Sequence, residues 1–350
     1  MLKLLKDLDP KDKKIIVRLD LDVPIENKKV ADGSRIDAAF TTLKYLLVAK
    51  KLYLIGHADS PGGKVVESLR LKPQAQYIAQ KLGLEFNERD CKIFNHRYLL
   101  GDKIEILENL RFNKGEENND PKFAQKIARL GEAFVFEAFA TSHRKHASVY
   151  GLVQFLPTYL GLRCQKEMQV LDDLRKQEKE TVVLVGGAKA ADKAVIIKNY
   201  KAKKVLFGGK TASEIWQNKN DYKEERFILP IDGVLENGEI KNYADLDEKE
   251  LAMVRDIGSK TIGSYTQILK NIGKNIIFSG PLGQYEKKEF ASGTKLLFEE
   301  ALKTKKKTII LGGDSAMAAR LFGLTDQFSY ISVGGGASLE YLAKGAMVIK

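Results

Sequence analysis

Glycine-rich turns recur in the second half of this chain, and their positions indicate chemistry on phosphate groups. Five short apolar runs there each end in closely spaced glycines. The turns are Gly186-Gly187, Gly208-Gly209, Gly280–Gly283, Gly312-Gly313 and Gly334–Gly336. Where a strand leads into a helix, glycine lets backbone N–H groups face a bound anion at the positive end of that helix. A single pair is weak evidence, but the clustering of five predicts a polyphosphate site.

Charged side chains accompany these turns. Lys189 and Lys193 lie four residues apart where a helix is predicted to begin, so both ammonium groups can reach one polyphosphate. Asp314 follows a glycine pair at a strand end, where a carboxylate can hold Mg²⁺ against nucleotide phosphates. The same features also suit two solvated lysines and an ordinary N-cap aspartate. The sequence contains no Gly-x-x-x-x-Gly-Lys-Ser/Thr motif, which excludes a P-loop.

The first half carries cationic side chains, and not glycines, in the loops after its predicted strands. These loops contain Arg18–Pro24, Arg35, His57, Arg111, and then His143, Arg144 and His146. Arginine forks and imidazoles suit a small ligand that bears both phosphate and carboxylate groups. A lone histidine is more often structural, but three of the chain's four histidines lie in these loops. Their grouping favours an anion site.

The elements that must position these loops alternate along the whole chain. The apolar runs predicted as strands are Ile15–Leu19, Lys51–Ile55, Ile104–Leu107, Ala133–Phe136, Thr181–Val185, Lys204–Phe207, Arg226–Leu229, Asn275–Phe278, Thr308–Leu311 and Gln327–Ile331. Stretches of helical spacing, such as Pro73–Leu82, lie between them. Strands alternating with helices predict an α/β fold of doubly wound parallel sheets. Ligands of such sheets bind beyond the carboxyl ends of the strands.

A long helix is predicted over Gly161–Lys179, near the middle of the chain. Domains usually hold about 100–200 residues, so a length of 350 residues suggests two. We therefore predict a first domain over 1–157, an interdomain helix over 158–179 and a second domain over 180–350. The helix suits a hinge or a simple cover for one sheet, and its sequence does not separate these alternatives.

Charge and composition narrow the class of partner. The formal net charge of +12 suits either small polyanionic substrates or nucleic acid. Because no basic stripe interleaved with aromatic residues is present, we expect no specific nucleic-acid partner. The apolar runs fall short of the ~20 residues of a membrane helix. Cys91 and Cys164 lack disulfide or metal-ligand spacing, so we expect a cytoplasmic protein with reduced thiols.

The ordered set of loops resembles the phosphoglycerate kinase family along nearly the whole chain. The matching segments are Arg18–Pro24, Leu107–Phe112, Glu137–Ser148, Gly186–Lys193, Asp256–Thr261, Gly280–Gly283, Gly312–Ser315 and Gly334–Ser338. The resemblance implies two Rossmann-like domains joined by a hinge helix. It also implies a glycolytic, monomeric enzyme that uses Mg²⁺ with ATP or ADP. Such an enzyme moves a phosphoryl group between ATP and the carboxylate of 3-phosphoglycerate, and hinge closure excludes water from the product.

The resemblance implies roles residue by residue. The residues implied for 3-phosphoglycerate are Asp20, Asp22, Arg35, His57, Arg111, His143, Arg144 and His146. Those implied for the nucleotide are Gly187, Lys189, Lys193, Gly208, Gly209, Gly283, Glu286, Gly312, Gly313, Asp314 and Ser315. Asp314 would also hold the metal. The groups implied to act on the moving phosphoryl group are Arg35, Lys189, Gly313 and Gly336.

Some positions depart from the family pattern. The departures include Asp22 for asparagine, Asp59 for glycine, Ser60 for a substrate-binding arginine, Lys210 for glycine and Ser279 for asparagine. A helix that the family has between the adenine loop and Leu229 is missing. Asp22 opposes an anionic ligand, since like charges at ~4 Å cost about 4 kcal/mol at an effective dielectric near 20. Two alternatives therefore stay open: a catalytically impaired binding protein, and a polyanion-binding protein that rests on net charge alone.

Overall fold

Two units, each built on its own parallel sheet, make up the computed structural model, which describes residues 2–91, 94–187, 193 and 198–349. The first unit comprises Met1–Gln169 with Ala346–Lys350, and the second comprises Val170–Gly345. The sequence predicts a different division, with the last residues in the second domain. They group with the first unit because Met347 and Ile349 bury their side chains and the Val348 N–H donates to the Ser142 carbonyl at 3.0 Å.

The sheet of the first unit is mostly parallel. Its strands, with a separate β3–β4 hairpin, are β1 (Lys3–Leu4), β2 (Lys14–Leu19), β3 (Ile25–Glu26), β4 (Lys29–Val30), β5 (Lys51–Ile55), β6 (Phe86–Cys91), β7 (Asn95–Leu100), β8 (Ile104–Leu107), β9 (Ala133–Glu137) and β10 (Thr158–Leu160). The sheet order is β1-β10-β9-β2-β5-β8-β7-β6. Pairing is parallel from β1 to β8 and antiparallel at β7 and β6. The sequence missed this antiparallel edge because β6 is largely exposed and polar.

Helices of the first unit accompany this sheet. They are α1 (Ser34–Asp37), α2 (Phe40–Leu46), α3 (Lys72–Leu82), α4 (Lys114–Glu117), α5 (Pro121–Ala128) and the start of α6 (Leu162–Lys176). The central strands fill the core with fully buried side chains such as Val17, Leu54 and Ile106. Most side chains of these strands are apolar and buried, as expected when both faces of a parallel sheet are covered, although β2 contains Arg18 and β8 contains Glu105. Their carboxyl ends therefore present loops at one edge of a rigid sheet.

The second unit holds a fully parallel sheet and a small antiparallel one. Its strands are β11 (Thr181–Val185), β12 (Lys204–Phe207), β13 (Phe227–Ile228), β14 (Asp232–Leu235), β15 (Ile240–Asn242), β16 (Val254–Ile257), β17 (Asn275–Ser279), β18 (Lys307–Leu311) and β19 (Tyr330–Ser332). The parallel order is β13-β12-β11-β17-β18-β19, and the antiparallel order is β15-β14-β16. Its described helices are the rest of α6, α7 (Gly209–Gln217), α8 (Glu248–Met253), α9 (Ser259–Asn271), α10 (Ser292–Lys303), α11 (Gly313–Leu321) and α12 (Gly336–Lys344).

The α/β class and the parallel sheets predicted from the sequence are confirmed, with local differences. The strand predicted over Gln327–Ile331 begins only at Tyr330, because Thr325–Gln327 forms a 3₁₀ turn. The helix predicted over Gly161–Lys179 ends at Lys176, before a second such turn at Glu178–Glu180. Among the residues described, no helix is both long enough and apolar enough to cross a membrane.

Candidate active site

The loops after four adjacent strands of the first unit bring its cationic residues together. In the order β9-β2-β5-β8 the strands run parallel, so their carboxyl ends share one edge. The side chains of these loops lie close enough to interact electrostatically. The charges of Arg111 and Arg144 act on His57, and the charge of Asp22 acts on Arg111. Arg35 is coupled to Asp20 in the same way. The structure thus collects the predicted anion-binding residues into one cluster.

Arg111 is almost completely buried, yet it lacks a full set of hydrogen-bond partners. Its Nη1 donates to the Asp59 carbonyl at 2.6 Å and to Ser60 Oγ at 3.2 Å. Its Nε lies 3.3 Å from Glu117 Oε1, but neither Nε nor Nη2 makes a hydrogen bond to a described residue. Burial, and then the charge of Arg144, lowers the pKa of Arg111. A buried guanidinium with unused donors is what an anion site requires.

Asp22 is tied to the neighbouring loop. Its Oδ1 accepts from the Asp59 N–H at 3.0 Å, and its carbonyl accepts from Arg35 Nη1 at 2.8 Å. Asp59 adopts a left-handed backbone with φ of +49°, a conformation that aspartate tolerates better than most residues. The two departures from the family pattern therefore support one another structurally, since Asp22 caps the loop in which Asp59 replaces glycine.

Asp20 faces the cluster from the end of β2. Its Oδ1 lies 4.0 Å from Arg35 Nη1, while its Oδ2 is buried without a hydrogen-bond partner among the described residues. Burial raises the pKa of Asp20, and the charge of Arg35 opposes that rise. An unused carboxylate oxygen beside an arginine suits a ligand that carries a hydroxyl group as well as anionic groups.

The loop after β9 supplies His143, Arg144 and His146, all of them half-buried. His146 Nδ1 lies 3.9 Å from Glu116 Oε1. Burial, followed by the charges of Arg111 and Arg144, lowers the pKa of His146 to about 4. This imidazole is therefore neutral near neutral pH, so it can contribute hydrogen bonds to a ligand but not charge.

A buried chain of polar groups underlies the cluster. Arg18 is completely buried; its Nε donates to Ser148 Oγ at 3.0 Å and its Nη2 lies 2.7 Å from His57 Nδ1. Ser148 Oγ donates to Glu116 Oε1 at 2.5 Å. Sequence reasoning did not assign roles to Arg18, Ser148 or Glu116. A charged residue inside the apolar strand β2 was the available signal for Arg18.

A cavity of about 900 Å³ lies in the second unit. Its lining includes five residues predicted to bind nucleotide: Gly187, Gly209, Gly283, Glu286 and Asp314. The lining also includes Lys210 and Tyr285, which sequence reasoning did not assign to the site. The volume lies in the range of pockets for cofactor-sized ligands, and the position beyond the carboxyl ends of the parallel strands is the usual one in this fold class.

Backbone segments approach closely beside Gly187 and Pro281, which line this cavity, and only glycine fits there. A Cβ on Gly186 would lie 2.0 Å from the Pro281 carbonyl oxygen. A Cβ on Gly280, whose φ is +93°, would lie 2.1 Å from the Gly186 oxygen. Lys193 Nζ donates to that same Gly186 oxygen at 2.5 Å. Lys189, predicted to act beside it, lies outside the described residues.

Three helices begin at glycines in the turns that follow parallel strands. Helix α7 begins after Gly208, α11 after Gly312 with φ of +114°, and α12 after Gly335 with φ of +53°. As far as the chain is described, none of these starts has a side-chain hydrogen-bond cap. Their first N–H groups can therefore serve an anion. Gly313 and Gly336 are exposed at two of the starts.

Ser315, which the resemblance implies to bind nucleotide, makes a side-chain contact within the protein. It is completely buried, and its Oγ accepts from the Gly280 N–H at 2.9 Å. Its oxygen therefore positions the Gly280–Gly283 turn, as does Thr294 Oγ1, which accepts from the Leu282 N–H at 2.9 Å. Burial within the first turn of α11 explains why the hydroxyl faces protein.

Asp256 supports the same turn from beneath. Its carboxylate accepts from the Gly293 N–H at 2.8 Å and from its neighbour Ile257 at 2.9 Å. A Cβ on Gly283 would lie 2.2 Å from Asp256 Oδ1. Burial raises the pKa of Asp256 to about 7. Asp256 begins one of the segments that resemble the family, but the sequence assigns it no role, because nothing in the sequence shows which loop packs on it.

Comparison with known proteins gives a consistent result. The family model for phosphoglycerate kinase matches residues 5–220 and 210–345. Phosphoglycerate kinase of Pseudothermotoga lettingae is 37% identical, covering 97% of this chain and 95% of that protein. That of Dictyoglomus turgidum is 38% identical, with coverage of 97% and 94%. The solved phosphoglycerate kinase structures from Coxiella burnetii and Pyrococcus horikoshii share 26% and 25% identity; for both the TM-score is 0.81, with coverage of 99% of this chain and 97% of theirs.

Two Rossmann-like units, one with a cluster of cations and one with a glycine-lined cavity, define a two-domain phosphotransferase. The chain belongs to the phosphoglycerate kinase family.

Proposed function

We propose that this chain catalyses reversible, Mg²⁺-dependent phosphoryl transfer between ATP and the carboxylate of 3-phosphoglycerate, giving ADP and 1,3-bisphosphoglycerate. The observation that carries the proposal is that the chain has both kinds of site. The first unit holds Arg111, a buried guanidinium with unused donors, and the second holds a nucleotide-sized cavity lined by Gly187, Gly283 and Asp314. Both are anion sites, and both lie at the carboxyl ends of parallel strands. We further propose a monomer that works in glycolysis in the cytoplasm.

The first-unit cluster would bind 3-phosphoglycerate through charge and neutral hydrogen bonds together. Arg35, Arg111 and Arg144 supply the positive charge that a phosphate and a carboxylate require. The pKa values of His57 and His146 are lowered by burial and neighbouring arginines, so both imidazoles would act as neutral partners. Asp20, with its unused Oδ2, would accept from the substrate hydroxyl. His143 would complete the basic loop.

The second-unit cavity would bind the nucleotide chiefly through backbone. Gly208 and Gly209 would flank the adenine, and Glu286 would accept from the ribose. Lys193 and the N–H groups at the start of α11, from Gly312 on, would meet the phosphates.

Asp314 fits Mg²⁺, since its carboxylate is exposed at the start of α11 and lines the cavity, and Mg²⁺ prefers oxygen ligands shared with substrate phosphates. Among the described residues, no group of three metal-ligating side chains is placed to hold an ion alone. The ion would therefore arrive with the nucleotide. When bound, Mg²⁺ would supply positive charge to the phosphate oxygens.

Transfer needs in-line positioning and charge neutralisation more than covalent chemistry. Arg35 would meet the transferring phosphoryl group from the substrate side, and Lys189 would neutralise it from the nucleotide side. Backbone N–H groups of Gly313 and Gly336 would contribute at helix starts. The alternative of an impaired binding protein is disfavoured by Asp22, whose carboxylate is already engaged by the Asp59 N–H.

A coupled assay of ATP-dependent 3-phosphoglycerate phosphorylation tests the proposal. Lys189→Ala should lower kcat at least about a hundredfold, or roughly 2.7 kcal/mol, with a smaller change in the nucleotide KM. Lys249→Ala is the matched control, because Lys249 is exposed on α8. No activity in the unmodified protein would contradict the proposal. A Lys189 effect on KM alone would contradict the role given to that side chain.

A further inference from the structure

The protonation state of His57 follows from what lies against its ring. His57 is almost completely buried, and its Nδ1 lies 2.7 Å from Arg18 Nη2. A guanidinium can only donate, because it has no acceptor and does not deprotonate in proteins. Nδ1 must therefore accept, and the imidazole proton must sit on Nε2. A doubly protonated ring would turn an N–H toward another N–H and is excluded by the same contact.

Each nitrogen atom of Arg18 makes a hydrogen bond within the protein. Nε donates to Ser148 Oγ at 3.0 Å, and Nη1 donates to the Leu19 carbonyl. The third nitrogen, Nη2, is left for His57. Because all three bonds are used within the protein and the side chain is completely buried, Arg18 acts on a ligand only through the imidazole that it orients.

Glu116 completes the arrangement. It is completely buried and accepts from the Ser148 hydroxyl at 2.5 Å and from the Ser148 N–H at 3.0 Å. Because the hydroxyl proton goes to Glu116, a lone pair of Ser148 Oγ is free for Arg18 Nε. The carboxylate also offsets the buried positive charge of Arg18, which would otherwise be costly in the apolar interior.

We propose that Arg18, Ser148 and Glu116 form a positioning chain that fixes His57 as the Nε2–H tautomer, so that the ring presents a neutral N–H donor to the anion site around Arg111. The tautomer follows from contacts within the first unit alone. The consequence for 3-phosphoglycerate affinity rests on the proposed function.

Nitrogen-15 NMR of the full chain with labelled histidine tests the tautomer directly. Long-range proton–nitrogen correlations distinguish Nε2–H, Nδ1–H and doubly protonated rings, and His57→Gln identifies the signal of His57 by its loss. We expect Nε2–H at neutral pH without any ligand. An Nδ1–H or doubly protonated ring would overturn the proposal, whatever the enzymatic activity proves to be.

Ser148→Ala and Glu116→Gln then test the chain. Each removes one link, so His57 should become a mixture of tautomers. The KM for 3-phosphoglycerate should rise about tenfold, the scale of one hydrogen bond to a charged ligand. The turnover number and the KM for ATP should change less than about twofold. Unchanged His57 signals in a folded variant, or a changed tautomer with an unchanged substrate KM, would overturn the proposal.

Glu105→Gln is the matched control. Glu105 is also a buried carboxylate of the first unit, and it pairs with Lys51 at 3.0 Å and with Arg97 at 2.7 Å. Its loss should lower stability without altering the His57 signal or the substrate KM. If Glu105→Gln shifts both as the chain variants do, the effects are structural and the proposal fails. Should Glu116→Gln not fold, Ser148→Ala and the unmodified protein still decide the question.

Discussion

The two units offer anions different kinds of hydrogen-bond donor. In the first unit the donors are side chains: Arg111 and His57 are almost completely buried at the ends of β8 and β5. In the second unit the donors are backbone N–H groups at helices that begin after Gly208, Gly312 and Gly335. The same strand-end position in the same fold class thus presents two kinds of donor group, which we propose as two kinds of anion site.

The difference shows what each kind of site demands of the surrounding protein. Buried cations need compensation, and the first unit supplies it with carboxylates such as Glu116, which is completely buried and bonded to Ser148. A backbone site carries no net charge, but it needs close approach between segments. The contact between Gly186 and Pro281 provides that approach. The first site is therefore vulnerable to loss of a charge, and the second to gain of a methyl group.

Gly186→Ala should produce the largest effect. Its Cβ would lie 2.0 Å from the Pro281 carbonyl oxygen, and backbone cannot move aside as a side chain can. We expect a loss of about 3 kcal/mol in the free energy of unfolding, and nucleotide affinity lowered at least about a hundredfold. Denaturant melts and calorimetric titration with Mg·ADP measure the two effects.

Gly263→Ala is the control for that change. Gly263 is exposed within α9, and its added Cβ meets no atom within 4 Å. Alanine there should raise stability by about 0.5–1 kcal/mol through helix propensity and leave nucleotide affinity unchanged. Equal behaviour of the two alanine variants would remove the case for a backbone site.

The next largest effect is on the pH dependence of the free energy of unfolding, to which Asp256 contributes. Its pKa is raised by burial from 3.8 to about 7, so its contribution to stability is complete below the unfolded-state pKa and is lost as pH rises toward about 7. Between about pH 5 and pH 6.5 this loss amounts to roughly 2 kcal/mol. Asp256→Asn should flatten the dependence of unfolding free energy on pH by that amount.

Asp326→Asn serves as the comparison for Asp256, because Asp326 is exposed. Its pH profile of stability should match that of the unmodified protein. Parallel profiles for all three proteins would mean that Asp256 titrates normally and that backbone N–H groups alone stabilise its charge. In that case the carboxylate beneath Gly283 would not need the cationic compensation found in the first unit.

Arg111→Lys tests the side-chain site with a smaller expected effect. Lysine keeps the charge but loses the fork whose Nη1 bonds the Asp59 carbonyl and whose Nη2 is unused. The KM for 3-phosphoglycerate should rise about tenfold, with little change for ATP. Arg129→Lys, at an exposed position, should change neither constant. An unchanged substrate KM for Arg111→Lys would show that charge alone, without fork geometry, makes this site.

Ser60→Arg should give the smallest effect. The Ser60 hydroxyl accepts from Arg111 at 3.2 Å, so an arginine there gains a bond to the substrate but loses this contact and stands beside another cation. We expect the KM for 3-phosphoglycerate to fall by only about threefold, less than the full 1.5–3 kcal/mol of a charge-assisted bond. Steady-state kinetics at two salt concentrations measures it. A rise in KM would mean that the loop with Asp59 has no room for the longer side chain.

The sequence predicted the regular parts of both units, whereas the residues that it assigns to the two sites stay predictions. Apolar runs such as Lys51–Ile55 and Thr181–Val185 match their strands residue for residue, because buried parallel strands are continuous hydrophobic segments. The edge strand β6 was missed because its exposed polar residues leave no such run. Likewise, no local pattern predicts that Val348 pairs with Ser142.

The residues that support the two sites could not be predicted from the sequence for a related reason. Arg18 and Ser148 are far apart in sequence, and their contact exists only once β2 and the loop after β9 lie side by side. Asp256 has the same character, since it acts on Gly283 and Gly293. Residues proposed to touch a ligand follow strand ends and can be predicted from the sequence, whereas the residues that position them depend on tertiary contacts.

An NMR titration tests the contrast between the two units most directly. The unmodified protein is titrated separately with 3-phosphoglycerate and with Mg·ADP, and the chemical shifts of backbone amides and arginine side chains are followed. We predict that 3-phosphoglycerate shifts the Nε–H signal of Arg111 and the loops of the first unit. Mg·ADP should instead shift backbone amides of Gly187, Gly283 and Gly313. Mg·ADP acting first on the arginine signals, or both ligands shifting one common set of residues, would contradict the account.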